Sequence, residues 1–227
     1  MSELYLIRHA QASFGAQNYD QLSDLGIKQS RLLGEYLSAQ GLLFDHVITG
    51  SLNRQAQTVM GIRKTLSLPS IHTHLGFDEY PFQALSQSYT HTFPDDDLVQ
   101  QLIAAPTDKK IFFRLLKKIL LAWSNDEISA SETWQSFQRR VYDAKTSLQE
   151  LAGTDNRVLV VSSGGAICQF IGSILELSPE RTFDLNLQMR NASISRMFFN
   201  QSSFFLSSFN GVPHLENLID PSLITYA

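Results

Sequence analysis

The feature that most constrains this chain is a unit that recurs along it: a short apolar run, a polar loop, then an amphipathic helical stretch. Wholly apolar runs of this length read as strands buried on both faces, the pattern of parallel strands. Leu4 to Ile7 is one such run, Arg157 to Val161 is another after its first residue, and Phe44 to Thr49, containing Val47-Ile48, reads as a further strand. A helix is predicted from Ser23, which can cap it, to a stop at Gly41, carrying Leu32, Leu33, Tyr36 and Leu37 towards a core. Another follows Arg54, with Val59, Ile62 and Leu66 on one stripe. Strand and helix in alternation predict a parallel sheet covered on both faces.

Ile71 to Leu75 alternates like a further strand, and then the pattern changes. Helices are predicted over Leu98 to Ala105, Lys109 to Trp123 and Ser131 to Leu151, with no strand among them. This reads as a helical insertion or lid at about 85–152, within one domain spanning residues 1–227. The sheet resumes at Arg157, and a helix runs from Ala166 to about Leu177, with Pro179 just beyond its end. Ser193 to Phe199 and Ser203 to Phe209 predict a hairpin.

Composition excludes several function classes. A formal charge of −4 provides no basic field for nucleic acid or anionic lipid, so an anion site must come from a local cluster of cations. The most apolar segment, Ile111 to Trp123, is too short to span a bilayer and is interrupted by Arg114, Lys117 and Lys118. No charged-then-apolar leader precedes the first strand, which predicts a cytoplasmic protein. Cys168 is the single cysteine and reads as a small buried residue. His72 and His74 share a strand face but lack a third ligand at metal spacing, so no metal site is expected. The terminal strand pair and the apolar helix are compatible with a homodimer.

Three predicted strands end in Arg8-His9, in Ser51 with Arg54, and in Ser162-Ser163-Gly164-Gly165, while a fourth loop supplies Glu79. Parallel strands bring such ends together, where α/β sheets bind ligands. Guanidinium forks hold phosphate bidentately, and a glycine-rich turn into a helix offers N–H groups to an anion. A neutral imidazole there has a lone pair able to attack phosphorus, and a protonated glutamate can supply the leaving oxygen with its proton. A serine hydrolase built on Ser162-Ser163 is disfavoured, because the Gly-x-Ser-x-Gly elbow is missing.

Three segments in order carry a resemblance: Leu6-Ile7-Arg8-His9-Ala10-Gln11, Leu22-Ser23-Asp24-Leu25-Gly26 with Gln29, and Ser51-Leu52-Asn53-Arg54-Gln55-Ala56-Gln57-Thr58. They resemble signatures of the histidine phosphatase superfamily, in its phosphoglycerate-mutase-like branch. Glu79, Asn191-Ala192-Ser193 and Phe209 to Leu215 add weaker matches. The resemblance implies a three-layer α/β/α sandwich and a two-step phosphoryl transfer from a small phosphorylated metabolite. His9 would be the nucleophile, forming a phosphohistidine. Glu79 would be the acid, Arg8 and Arg54 would hold the phosphoryl oxygens, and no metal or other cofactor would be required. Gln11, Gly15 and Ser163 fall at further phosphate-binding positions. Two of these depart from the family pattern: Ser163 stands where a second histidine is usual, and Gly15 where an asparagine often contacts phosphate. Losing one such donor is expected to slow turnover by about two to three powers of ten. A phospho-ligand binder without turnover and a phosphomutase are the alternatives. His214, in the C-terminal match, is expected to order a loop rather than replace the missing histidine.

Overall fold

The computed structural model describes residues 1–13, 20–153, 155–216, 218 and 220–226. Six strands form one sheet: Ser2–Arg8 (β1), His46–Thr49 (β2), Ile71–Thr73 (β3), Arg157–Ser162 (β4), Ile194–Phe199 (β5) and Phe204–Gly211 (β6), in the order β3-β2-β4-β1-β5-β6. The first four are parallel, and β5 and β6 join beside β1 as an antiparallel hairpin. Strand register levels the carboxyl ends: Thr49 lies beside Val161, and Val161 beside Ile7. The residues that follow these three therefore emerge together at one edge of the sheet.

Period-two alternation divides the apolar side chains between two layers. Tyr5, Ile7, Val47, Leu159 and Val161 pack with residues of the helices Asp24–Ala39 (α1) and Asn53–Ile62 (α2). Leu4, Leu6, Ile48, Val158 and Val160 face the opposite way, into a larger core built from the later helices. The molecule is thus a three-layer α/β/α structure. Ser23 caps α1 by accepting from the Gly26 N–H. A side chain at Gly26 would place its Cβ 2.1 Å from the Gln11 carbonyl oxygen, so glycine is needed where α1 crosses the loop after β1.

Between β3 and β4 lie four helices: Phe82–Thr92 (α3), Asp97–Ala104 (α4), Lys109–Ser124 (α5) and Trp134–Glu150 (α6). Sequence periodicity misses α3, because only Leu85 and Tyr89 of its eleven residues are buried. The third expected helix starts at Trp134 behind a Thr133 cap, rather than at Ser131. After β4 the helix Gly164–Ile174 (α7) begins at the glycine pair itself, two residues before the expected Ala166, and ends before Leu177. Pro179 does not follow a helix end but occupies the first turn of a further helix, Pro179–Leu187 (α8), capped by Ser178. Proline suits that position because its missing N–H would have no partner there. A short helix, Pro213–Glu216 (α9), packs on α1.

Leu66 lies beyond the end of α2, although it is buried as expected. The predicted strand through Leu75 ends at Thr73, and His74 caps a 3₁₀ turn, Leu75–Phe77, through its Nδ1. His72 and His74 are thereby separated in role, one exposed and one capping. Among the described residues no group of three or more His, Cys, Asp or Glu is placed to hold a metal ion. Among them, too, no helix is long and apolar enough to cross a membrane.

Candidate active site

His9 follows the end of β1 and is held at both ends of its backbone. Its N–H donates to the Ser162 carbonyl at 2.8 Å, and its carbonyl accepts from the Ala192 N–H at 3.2 Å. The ring Nδ1 lies 2.8 Å from the Ala10 carbonyl oxygen. A carbonyl can only accept, so Nδ1 carries the proton and Nε2 keeps the lone pair. Arg54 Nε donates to that Nε2 at 3.2 Å. Burial, and then the charges of Arg54 and Arg8, hold the imidazole well below its ordinary pKa. His9 is therefore neutral at pH 7, with its lone pair turned towards a guanidinium.

Arg54 is buried in the first turn of α2. Its Nη1 pairs with Asp20 Oδ1 at 2.9 Å, while Asp20 Oδ2 accepts from the Asn53 N–H, also at 2.9 Å. One carboxylate thus orients the arginine and satisfies a free N–H at the helix start. Asp20 was legible from the sequence only as part of a polar loop. Arg8 ends β1 and donates to the carbonyls of Met189 and Tyr226. The segment carrying Tyr226 is anchored by Gln29 Nε2, which donates to the Leu223 carbonyl at 2.8 Å, and by Asn191, whose N–H donates to the Thr225 carbonyl at 2.8 Å.

Glu79 follows the 3₁₀ turn and faces the start of α7. Its Oε2 accepts from the Gly165 N–H at 3.2 Å and its Oε1 from the Tyr80 N–H at 3.1 Å. Burial outweighs these bonds and the nearby arginines, so its carboxyl is raised above the usual range. A Cβ at position 165 would sit 2.2 Å from Glu79 Oε1, which is why the helix must open on glycine here. Arg140, from α6, braces the Glu79 loop. It donates to the carbonyls of Leu75 (3.1 Å), Asp78 (2.7 Å) and Glu79 (3.2 Å), and it grips Glu132 through Nε (2.6 Å) and Nη2 (3.0 Å). Nothing in the sequence marks this arginine, which lies 61 residues from Glu79.

Arg8, His9, Arg54 and Glu79 share the wall of one cavity of about 590 Å³. Gln11 and Ser163 are not on that wall. Gln11 Oε1 accepts from the Ser23 hydroxyl at 2.8 Å, and its N–H donates to Gln29 Oε1 at 2.8 Å, tying the loop after β1 to α1. Ser163 is fully buried and accepts from Gln55 Nε2 at 2.9 Å; the same amide donates to the Phe77 carbonyl at 2.9 Å. Ser162 donates to that carbonyl as well, at 2.7 Å. Neither serine has a histidine partner among the described residues, so a serine nucleophile has no base. Gly15 lies outside the described residues. His214 is buried near Tyr36 of α1, away from the cavity wall, with burial lowering its imidazole pKa to about 4. Cys168 is buried in α7, and burial raises its thiol pKa.

With one lone pair, one raised carboxyl and two guanidiniums on a single wall, the site suits transfer of a small dianion. Comparison with protein families gives a match to the histidine phosphatase superfamily (branch 1) over residues 4–110 and 106–211. Comparison with curated proteins gives no match. Several solved structures are similar in fold. One is a phosphoserine phosphatase mutant from Entamoeba histolytica in complex with phosphoserine, at 19% identity and a TM-score of 0.64, covering 95% of this chain and 100% of that one. An alpha-ribazole phosphatase from Shigella flexneri is 22% identical, with a TM-score of 0.62 and coverage of 92% and 96%. A mycobacterial glucosyl-3-phosphoglycerate phosphatase is 20% identical, with a TM-score of 0.63 and coverage of 92% and 98%.

Proposed function

Because the chain belongs to the histidine phosphatase superfamily, branch 1, we propose that it hydrolyses a small phosphomonoester through a phosphohistidine on His9. The observation that carries this reading is the tautomer of His9: Nδ1–H is committed to the Ala10 carbonyl, and the Nε2 lone pair stands 3.2 Å from Arg54 beside the cavity. A phosphate dianion draws the Arg54 guanidinium onto its oxygens and uncovers that lone pair. Nε2 then forms a bond to phosphorus as the ester P–O bond breaks, and Glu79 passes its proton to the departing oxygen. In the second step water attacks phosphorus and gives a proton to Glu79, while the N–P bonding pair returns to Nε2. Arg8 and Arg54 balance the charge of the transferring group throughout. Helices α3 and α5 of the insertion, with α8, act as the wall that receives the leaving group.

The test is hydrolysis of 4-nitrophenyl phosphate by the wild-type protein and by His9→Ala, with rapid quench to trap acid-labile phosphate on the protein. Turnover and labelling should both vanish in the variant while its circular dichroism is unchanged. Activity that survives the substitution would sink the mechanism. The engagement of Ser163 by Gln55 supports a second reading, a phospho-ligand binder without turnover; phosphate binding that requires Arg8 and Arg54, with no trapped label in the wild type, would establish that one instead.

A further inference from the structure

We infer that the leaving group is an uncharged, largely apolar alcohol about the size of a fused aromatic or heterocyclic ring system, and not a carboxylate-bearing or doubly phosphorylated metabolite. This rests on the phosphatase reading above and concerns the other end of the same cavity. Apart from Arg8, His9, Arg54 and Glu79, the wall is made largely by Phe82 of α3, Phe113 and Leu116 of α5, Leu187 of α8, and Leu52. The polar groups among them are neutral amides, chiefly Gln83, Gln87 and Asn186. Asn186 is itself held by donating to the Tyr80 hydroxyl at 3.1 Å.

Charge decides between ligand classes. Arg8 and Arg54 are the cations on the described wall, and Arg54 also pairs with Asp20, so they supply no positive charge beyond that needed by one phosphomonoester. Positions 14–19 read Phe-Gly-Ala-Gln-Asn-Tyr and contain no lysine or arginine, so that loop adds no cation wherever it lies. Lys117, next to Leu116, is paired with Glu180 at 3.2 Å and Asp184 at 2.6 Å. Lys110 and Arg114 of α5 are exposed outside the wall. A carboxylate or a second phosphate on the substrate would therefore meet neutral amides and no cation in an otherwise aromatic and aliphatic chamber, and a charge without a counter-ion leaves water at a cost. An apolar ring gains instead from the Phe82, Phe113 and Leu116 surfaces. At about 590 Å³ the cavity also exceeds what the phosphate and a three-carbon acid would fill.

Binding rather than turnover tests this, so that the result does not depend on the reaction. The full-length His9→Ala protein is titrated calorimetrically at pH 7 with 1-naphthyl phosphate, O-phosphoserine and 3-phosphoglycerate. Naphthyl phosphate should bind at least tenfold more tightly than either acid, with about a hundredfold as the expected scale for one buried ring system. Equal affinities, tighter binding of an acid, or no measurable binding of naphthyl phosphate would overturn the inference. Gln87→Arg, an exposed position on that wall, should narrow the preference by tenfold or more. An unchanged preference in this variant would place the leaving group elsewhere and overturn the assignment of the chamber. Absence of 4-nitrophenyl phosphate hydrolysis by the wild type would count against the phosphatase reading alone, because the affinity ratio is measured without catalysis.

Discussion

The two ends of the cavity are built in opposite ways. At the phosphate end, Arg8 and His9 lie at the end of β1 and Arg54 opens the helix after β2, and the register of both strands with β4 between them puts their ends level. Backbone pairing thus places the reactive atoms, and each side chain has a hydrogen-bonded partner behind it. At the other end, the wall is a patchwork of side chains from α3, α5 and α8, joined mainly by apolar packing. The first kind of construction tolerates little substitution, because each side chain depends on the register and the partner behind it. The second can be redrawn one residue at a time, which lets a single sheet serve many leaving groups.

That contrast breaks most readily with a pair of alanine substitutions. Arg54→Ala removes a transition-state donor and should lower kcat/KM for 4-nitrophenyl phosphate by about 10²–10³. Phe113→Ala should cost the same small substrate less than about tenfold, since it removes only apolar contact. Comparable losses in steady-state assays would mean that the two ends are not independent.

A second expectation concerns Ser163, at the position where the sequence resemblance implies a second histidine. Gln55 Nε2 lies 2.9 Å from Ser163 Oγ, and both residues are fully buried, so an imidazole at 163 would collide with the amide. Ser163→His alone should give no gain in turnover. Combined with Gln55→Ala it should raise kcat by about 10–10². A gain from the single substitution would show that Gln55 does not block the site.

The pH profile follows from the two opposed pKa shifts. The first step needs His9 neutral and Glu79 protonated; the former sits well below its ordinary value and the latter above. Turnover should therefore fall as pH rises through the raised Glu79 pKa, a limb that Glu79→Gln removes along with most of the rate. A profile that rises into the alkaline range would reverse the assignment of Glu79.

The smallest effect lies outside the cavity. His214 has a folded pKa of about 4 against 6.5 in the unfolded chain, so the unfolded state binds the proton more readily between those values. Its contribution is present in full above pH 6.5 and is lost as pH falls towards 4, a change of about 3 kcal/mol. Urea midpoints should drop less on acidification in His214→Phe than in the wild type, and an equal drop would assign the acid sensitivity elsewhere.

What could be read from the sequence follows the same division. The runs at Leu4, Phe44 and Arg157 announce buried strands because both faces of the sheet demand apolar side chains, and the residues just beyond them announce a pocket. Helix α3 is hidden because a lid helix buries only one narrow stripe, here Leu85 and Tyr89. Pro179 misleads because a proline after one helix and a proline at the start of the next look alike until Ser178 is recognised as a cap. Asp20 and Arg140 escape notice because their roles come from partners distant in sequence, Arg54 and the carbonyls around Glu79. Gln55 is the subtler omission, since its importance appears only once it is seen against Ser163.

The placement of β1 bears on how the protein is made. This strand is sandwiched between β4 and β5, whose partner residues are encoded some 150 to 190 positions later: Leu4 pairs with Val158 on one side and with Met197 on the other. A ribosome delivers β1 well before the two strands that flank it. Loop closure over such distances is slow, and until it happens the apolar strand has no sheet to enter. The growing chain must therefore wait, with Leu4 to Ile7 open to chaperones, and the wall that carries Arg8 and His9 is completed in one late step rather than by degrees.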